Sequence, residues 1–282
     1  MRADLCTLRF RAPWHLVSSG LWPVTRWAVG AEAFAEPVPG IVIGAGGAGA
    51  RVAASLRSKA VKAVAIQHPR MDLRKFDAIL AARHDGITGP NVIITRTALH
   101  RVTQARLAAE REIWAPRFAG FRRPLVAVLL GGSNGRYRFE APQAHELAAR
   151  LAIVAREAGL IITPSRRTAP EVVNILREAL EPLGAWIWDM QGENPYFGML
   201  ACADAIIATA DSVSMVSEAV ATHAPVYLVR LPGRSARIGA FMDALVRDGR
   251  VRDFAGTLEL WDTEPLDDTE MAGAELLRRL GL

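Results

Sequence analysis

The sequence predicts an α/β protein made of two parallel-sheet domains, and three observations carry that reading. Through the second half of the 282 residues, short apolar runs alternate with helix-period segments at βαβ spacing. Several of the runs end in turns rich in Gly, Ser, Thr or Asn. Residues 113–124 (IWAPRFAGFRRP) lose the hydrophobic period and hold two prolines, which reads as a boundary between domains.

In the first half, strands are expected at Ile41–Ile43, Ala63–Gln67, Ala78–Ala82 and Val92–Thr95, with a helix from about Ala48 to Ser58 after the first. In the second half, Leu125–Leu130 is a continuous apolar strand. His145–Ala158 places Leu147, Leu151, Val154 and Ala158 on one helical face, and Gly159 stops it. Strands at Leu160–Thr163, Trp186–Trp188, Ala205–Thr209 and Val226–Val229 frame helices at Glu171–Leu180 and Val213–Thr222. The organisation that follows is a first domain over residues 1–115, a linker at 116–124 and a second, ligand-binding domain over 125–260. Residues 261–282 form a tail or helix that packs back on the first domain. Residues 1–30 mix Arg2, Arg9, Arg11 and Arg26 with Leu, Phe and Trp. Asp4, two prolines and the lack of an apolar core of signal-peptide quality favour domain structure there over a transit or interfacial segment.

Composition narrows the function. Half the residues are hydrophobic (51%), so a packed core is expected. Of 34 basic residues only Lys59, Lys62 and Lys75 are lysines, within a formal net charge of +5. That bias follows genomic base composition, or else contact with phosphate or an anionic membrane surface, because guanidinium matches phosphate bidentately. No dense basic run interleaved with aromatics is present, which sets nucleic-acid binding aside. No apolar run is long enough to span a membrane. Cys6 and Cys202 have neither metal-ligand spacing nor a disulfide framework. No H-E-x-x-H, G-x-S-x-G or clustered-carboxylate motif occurs, so metalloprotease and αβ-hydrolase chemistry fall away. No metal and no cofactor is expected.

Four segments carry candidate chemistry. In LLGGSNGRYRF (129–139) an apolar strand runs into Gly131, Gly132, Ser133, Asn134 and Gly135. Glycine lets backbone N–H groups approach an anion, with Arg136 and Arg138 adding charge; a plain strand-exit turn is the alternative. In TPSRRT (163–168) Ser165 is a donor beside Arg166 and Arg167, of which one faces inward and the other is solvated. In Ala208–Val229, Asp211 or Ser212 caps a helix whose first turn holds Ser214, and its open N–H groups favour an anion. Glu218, one to two turns in, is placed to accept two hydrogen bonds from a ribose diol. In IVIGAGGAGARVAASL (41–56), Gly44, Gly46 and Gly49 satisfy G-x-G-x-x-G. The acidic residue that a dinucleotide site needs is absent, since the next strand runs into Gln67 and His68. A glycine turn facing an interdomain cleft is the preferred reading, and NAD(P) or FAD binding at Gly44–Gly49 the alternative. His68 is a candidate base, a hydrogen-bond donor or structural.

Several blocks resemble the mitochondrial-fission ELM family of plants and bacteria. They are VAIQHPRMDLRKFDAILAARHD (64–85), GPNVIITRTALHRVT (89–103), LLGGSNGRYRF (129–139), ITPSRRT (162–168), GENPYFGMLACADAIIATADSVSMVSEA (192–219) and APVYLV (224–229). The family in turn resembles GT-B glycosyltransferases, which implies two Rossmann-like domains facing a cleft. It also implies metal-independent, inverting transfer from a nucleotide sugar such as a UDP-sugar to an envelope, glycan or lipid-linked acceptor. By that resemblance the donor-side residues are Gly131, Gly132, Ser133, Asn134, Ser165, Arg166, Asn194, Ser212, Ser214, Met215 and Glu218. The Gly44, Gly46 and Gly47 loop faces the cleft, and His68 is the catalytic candidate. The expected location is cytoplasmic with peripheral inner-membrane contact. The alternative function is a non-catalytic adaptor of the fission type. Two departures stand out. Family members begin with a further strand and a DGRAGHENQ-like loop that this chain lacks, so an incomplete first domain is expected. His223 also replaces the glycine of a T-G-x-P turn.

Overall fold

The computed structural model describes residues 4–9, 11, 29 and 39–282, so the reading of residues 1–30 lies largely outside the described residues. The chain divides into two compact units, residues 1–96 with 268–282, and residues 97–267.

The elements in chain order begin with β1 (Ile41–Ala45), α1 (Gly46–Leu56), β2 (Lys62–Ile66), β3 (Ala78–Ala82) and β4 (Val92–Thr95). They continue with α2 (Gln104–Phe118), β5 (Leu125–Leu129), α3 (Ala141–Val154), β6 (Gly159–Thr163), α4 (Pro170–Leu180), β7 (Trp186–Ile187), α5 (Tyr196–Cys202) and β8 (Ala205–Thr209). The last are α6 (Val213–Val220), β9 (Val226–Val229), α7 (Ala236–Arg247), β10 (Val251–Asp253) and α8 (Thr269–Leu280).

The first unit holds a four-stranded parallel sheet in the order β1-β2-β3-β4 among the described residues. Ala63, Ala65, Phe76, Ile79, Ala81 and Val92 form its core with Ala50 of α1. Helix α8 returns to this unit. Arg279 Nη1 donates to the carbonyls of Pro90 and Val92 at 2.9 and 3.2 Å, and Asp268, just before α8, binds the backbone N–H of Arg96 at 2.6 Å.

The second unit holds a six-stranded parallel sheet in the order β10-β9-β8-β5-β6-β7. The chain winds outward from β5 through β6 to β7, then returns to β8 on the other side of β5. Every residue of β5, β6, β8 and β9 is buried. Strands covered by helices on both faces need no polar alternation, which is why these segments read as unbroken apolar runs. Register is continuous between β5 and β8, from Val126 opposite Ala205 to Leu129 opposite Ala208.

Four features differ from the sequence expectation. The stretch read as a linker is helical through Phe118. Its Trp114 and Phe118 stack at 5.6 Å within the second unit's core, which holds the last turn although Pro116 has no N–H to offer the Glu112 carbonyl. Helix α3 starts at Ala141 rather than His145, because Pro142 falls in the first turn, where its missing N–H has no partner to lose. Helices α5 and α7 were not foreseen. Neither was β10, a three-residue edge strand with only Val251 buried.

Candidate functional site

In a doubly wound sheet the crevice that binds ligands opens where the strand order reverses, outside the carboxyl ends of the two strands that flank the reversal. Here those strands are β5 and β8, and three loops meet there: 130–140 after β5, 164–169 after β6 and 210–212 after β8.

The glycines of the first loop do approach an anion, but that anion is the protein's own. Gly131 N–H donates to Thr209 Oγ1 at 2.7 Å, and the Thr209 hydroxyl donates to Asp211 Oδ1 at 2.7 Å. Gly132 N–H donates to Asp211 Oδ2 at 3.3 Å. Arg167 closes the ring, with Nη2 2.9 Å from Asp211 Oδ2 and Nη1 donating to the Gly132 carbonyl at 3.2 Å. The Asp211 side chain has no solvent exposure (0%), whereas that of Arg167 is 43% exposed. A Cβ on Gly131 would lie 2.0 Å from Asp211 Oδ1, and one on Gly132 would lie 2.0 Å from the Arg167 carbonyl oxygen. The two glycines therefore serve the packing of loop on loop, and both their amides are occupied.

The neighbouring candidates also spend their polar groups on the loops. Ser133 Oγ accepts from Phe139 N–H at 2.8 Å and lies 3.2 Å from its carbonyl. Asn134 Oδ1 accepts from the N–H groups of Arg136 and Tyr137 at 2.9 and 3.1 Å, an Asx-type turn that folds the loop back on itself. Ser165 Oγ donates to the Gly131 carbonyl at 3.0 Å. Both arginines of the pair are exposed, and Arg167 reaches in to pair with Asp211.

Helix α6 supplies a different kind of group. Ser212 Oγ caps it, accepting from Met215 N–H at 3.4 Å; Ser214 is exposed and Met215 packs partly against the core. Half-buried Glu218 accepts the Tyr196 hydroxyl on Oε2 at 2.6 Å, and its Oε1 has no hydrogen-bond partner among the described residues. Burial first, and then the charge and hydrogen bond of Glu218, hold the Tyr196 phenol well above its usual pKa, so it stays a donor. Asn194 Oδ1 accepts from Tyr196 N–H at 3.0 Å and fixes the start of α5. Asn194, Tyr196 and Glu218 thus form one chain of contacts. Tyr196 was missed in the sequence, although it sits two residues after Asn194 in the same motif block.

The Thr222–Pro225 turn needs no glycine. Exposed His223 is not among the residues with positive φ, and the turn is held by Thr222 Oγ1 and by buried Arg250, whose Nη2 donates to the carbonyls of Val220 and Thr222 at 2.8 and 2.7 Å.

In the first unit, the glycines after β1 also answer to packing. A Cβ on Gly44 would lie 2.2 Å from the Gly49 carbonyl oxygen, and Gly46 adopts φ +69° to turn strand into helix. Gly47 lies half-buried in the first turn of α1. Strand β2 ends at Ile66, followed by Gln67 and His68, so no acid stands where a dinucleotide ribose would be bound. His68 Nδ1 accepts from Arg70 N–H at 2.9 Å. The neutral ring then carries its proton on Nε2, which makes it a donor. Gln67 and Arg70 take φ of +72° and +53° around it, a costly conformation for side chains of that size.

Among the described residues no group of His, Cys, Asp and Glu could hold a metal ion, and no helix is long and apolar enough to cross a membrane.

Comparison with known proteins places this geometry. The chain is 34% identical over 280 residues to the mitochondrial fission protein ELM1 of Arabidopsis thaliana, covering 88% of this chain and 66% of that relative, so it spans slightly under two thirds of the relative's length. It is 28% identical over 284 residues to the uncharacterized protein RP120 of Rickettsia prowazekii (strain Madrid E), covering 85% of this chain and 79% of the relative. Among solved structures it resembles the UDP-GlcNAc 2-epimerase of Neisseria meningitidis bound to UDP-GlcNAc, with TM-score 0.51 and 11% identity over 86% of this chain and 77% of that one. MurG of Acinetobacter baumannii follows at TM-score 0.47 and 17% identity, over 86% of this chain and 66% of that one. At such identities the likeness is one of fold: α/β, with two Rossmann-like parallel sheets of the GT-B-like class. The family model described as mitochondrial fission ELM1 matches residues 1–280, and the chain belongs to that family.

Proposed function

We propose that the second unit binds a nucleotide sugar, a UDP-sugar in the first instance, at the carboxyl ends of β5 and β8. The proposed reaction is metal-independent, inverting transfer of the sugar to a glycan or lipid-linked acceptor. The observation that carries the binding is the Tyr196–Glu218 pair, which joins the two helices that precede and follow β8. One carboxylate oxygen is fixed by the phenol and the other is open, which suits a ribose diol presenting two hydroxyl donors. The likeness in fold to an epimerase solved with UDP-GlcNAc supports the same ligand class.

The chemistry proposed for the transfer needs a base on the acceptor hydroxyl and a stabilised leaving diphosphate. Open N–H groups in the first turn of α6, at Val213 and Ser214, supply fixed dipoles for that charge. With Nδ1 occupied by the Arg70 amide, His68 is suited to donate a hydrogen bond through Nε2 rather than to transfer a proton in either direction. That same observation favours a second reading, a non-catalytic interaction protein that keeps the nucleotide site.

Isothermal titration of the full chain with UDP tests the binding, with Glu218→Ala as comparison. The expected result is binding by the wild type and a loss of about tenfold or more in the variant, as for a charge-assisted hydrogen bond. No binding by the wild type refutes the reading. Turnover of a UDP-sugar separates the enzyme from the interaction protein.

A further inference from the structure

The diphosphate of such a ligand cannot rest on the Gly131 and Gly132 amides as they stand. Both are engaged, and the group that engages Gly132 is a buried carboxylate. A phosphate there would have to displace Asp211 from the Gly132 amide and compete with it for Arg167. The positive charge free to act on a phosphate lies one loop away.

There the turn after β5 and the turn after β9 are joined by an antiparallel bridge between Tyr137 and Gly233. Arg138 N–H donates to the Pro232 carbonyl at 2.9 Å, and Arg234 N–H to the Arg136 carbonyl at 3.0 Å. Gly233 is required at the crossing, because it takes φ +135° and a Cβ would lie 2.0 Å from the Arg136 carbonyl oxygen. Tyr137 is buried, and extended geometry sends Arg136 and Arg138 to the other face, where both are exposed, as is Arg234. None of the three has a carboxylate partner among the described residues; Arg136 Nη1 donates to the buried Ser235 hydroxyl at 3.1 Å. A cavity of about 410 Å³ opens beside the bridge, lined by Ala210, Arg234 and Ser235, and a second of about 420 Å³, lined by Arg136 and Arg138, shares Tyr137 and Gly233 with it. The carboxylate on the first cavity's wall, Asp243, is held by Arg230 at 3.0 Å, and Arg230 is shared with Asp253 at 2.7 Å. Ala210 directly precedes Asp211 and the cap of α6, so the first cavity borders the strand exit that leads to Glu218.

We propose that these two adjoining arginine-lined cavities, Arg234 and Ser235 on the first and Arg136 and Arg138 on the second, with Arg136 reaching across to Ser235, form the site for the diphosphate of the ligand. The identity of the ligand as a nucleotide rests on the reading above; the position of its anionic part rests on the arginines alone. Three guanidinium groups without carboxylates form a local excess of charge that a diphosphate neutralises, and the Ser235 hydroxyl offers a further donor. The Gly131–Gly132 loop then acts as a scaffold that places Arg136, rather than as the cradle itself.

Titration of the full chain with uridine, UDP and inorganic pyrophosphate tests this. The proteins are wild type, the Arg136→Ala/Arg234→Ala pair, the Arg136→Lys/Arg234→Lys pair and a distant control, Arg177→Ala. Thermal melts confirm that each is folded. The wild type is expected to bind UDP more tightly than uridine. In the alanine pair that advantage falls by about tenfold or more while uridine affinity holds, the lysine pair recovers part of it, and the control is unchanged. An alanine pair that keeps the full UDP advantage overturns the proposal and leaves nucleotide binding intact. If the wild type binds neither uridine nor UDP, the nucleotide reading fails and pyrophosphate decides. Binding abolished in the alanine pair sustains the anion site, and no pyrophosphate binding overturns it.

Discussion

Replacing Asp211 with alanine removes the carboxylate at the centre of the loop ring, and the cost follows from its partners. Gly132 N–H loses its acceptor, at 3.3 Å already a long bond, so the lower end of the range for an orphaned donor applies, about 1 kcal/mol. The Thr209 hydroxyl, bonded at 2.7 Å and fully inside, loses about 1–2 kcal/mol. Arg167 loses its ion pair, but its side chain is 43% exposed and can turn to water, so that part adds at most about 1 kcal/mol. The sum is about 3 kcal/mol. Urea unfolding of the full chain, followed by tryptophan fluorescence for the transition of the second unit, measures it. Arg167→Ala should also destabilise, because it strips a buried carboxylate of its counter-charge. The double variant should cost much less than the two singles summed, because the pair acts as one unit. An Asp211→Ala variant within about 0.5 kcal/mol of wild type would refute the reasoning that this carboxylate fills the loop.

Three further outcomes are expected. Gly132→Ala, whose Cβ would meet the Arg167 backbone at 2.0 Å, should destabilise by about 3 kcal/mol, whereas Gly135→Ala, which meets nothing within 4 Å, should change stability by less than about 0.5 kcal/mol; equal effects in urea melts would count against the packing account. Arg250→Met should cost about 2–4 kcal/mol by leaving the Val220 and Thr222 carbonyls without their donor, checked by the same melts. Burial works against the charge of Asp268, but its hydrogen bonds to Arg96 outweigh that and hold its pKa below the ordinary value. A depressed carboxylate stabilises the fold above its unfolded pKa of about 3.9 and loses that contribution as pH falls from there through the folded value. Acid melts of Asp268→Asn should lack that component, and a pH profile identical to wild type would contradict the pairing.

Much of the fold is legible in the residues because parallel strands buried on both faces leave a simple trace. Leu125–Leu129 and Ala205–Thr209 are unbroken apolar runs, and each is a central strand. Helix α2 was hidden because its buried positions, Leu107, Trp114 and Phe118, are spaced among arginines and glutamates and end near Pro116; packing against the second core holds it, with Thr103 capping its start. Strand β10 carries a single buried residue, too little pattern for any period. In the site, the strand exits and the place of Glu218 on the helix after β8 could be read from spacing. The reason for the glycines could not. Their neighbours, Asp211 and the Arg167 carbonyl, lie 79 and 35 residues away in sequence and meet them only through the sheet. Tyr196 is 22 residues from Glu218 and likewise becomes its partner only in three dimensions.

Central to this account is a ribose held by the open oxygen of Glu218 while Tyr196 fixes the other. Calorimetric titration of the full chain with UDP against 2′-deoxy-UDP reads that contact most directly. The account predicts that the wild type binds UDP and that loss of the 2′-hydroxyl weakens binding by about tenfold or more, a preference that Glu218→Ala abolishes. Equal affinity for the two nucleotides in the wild type would contradict it.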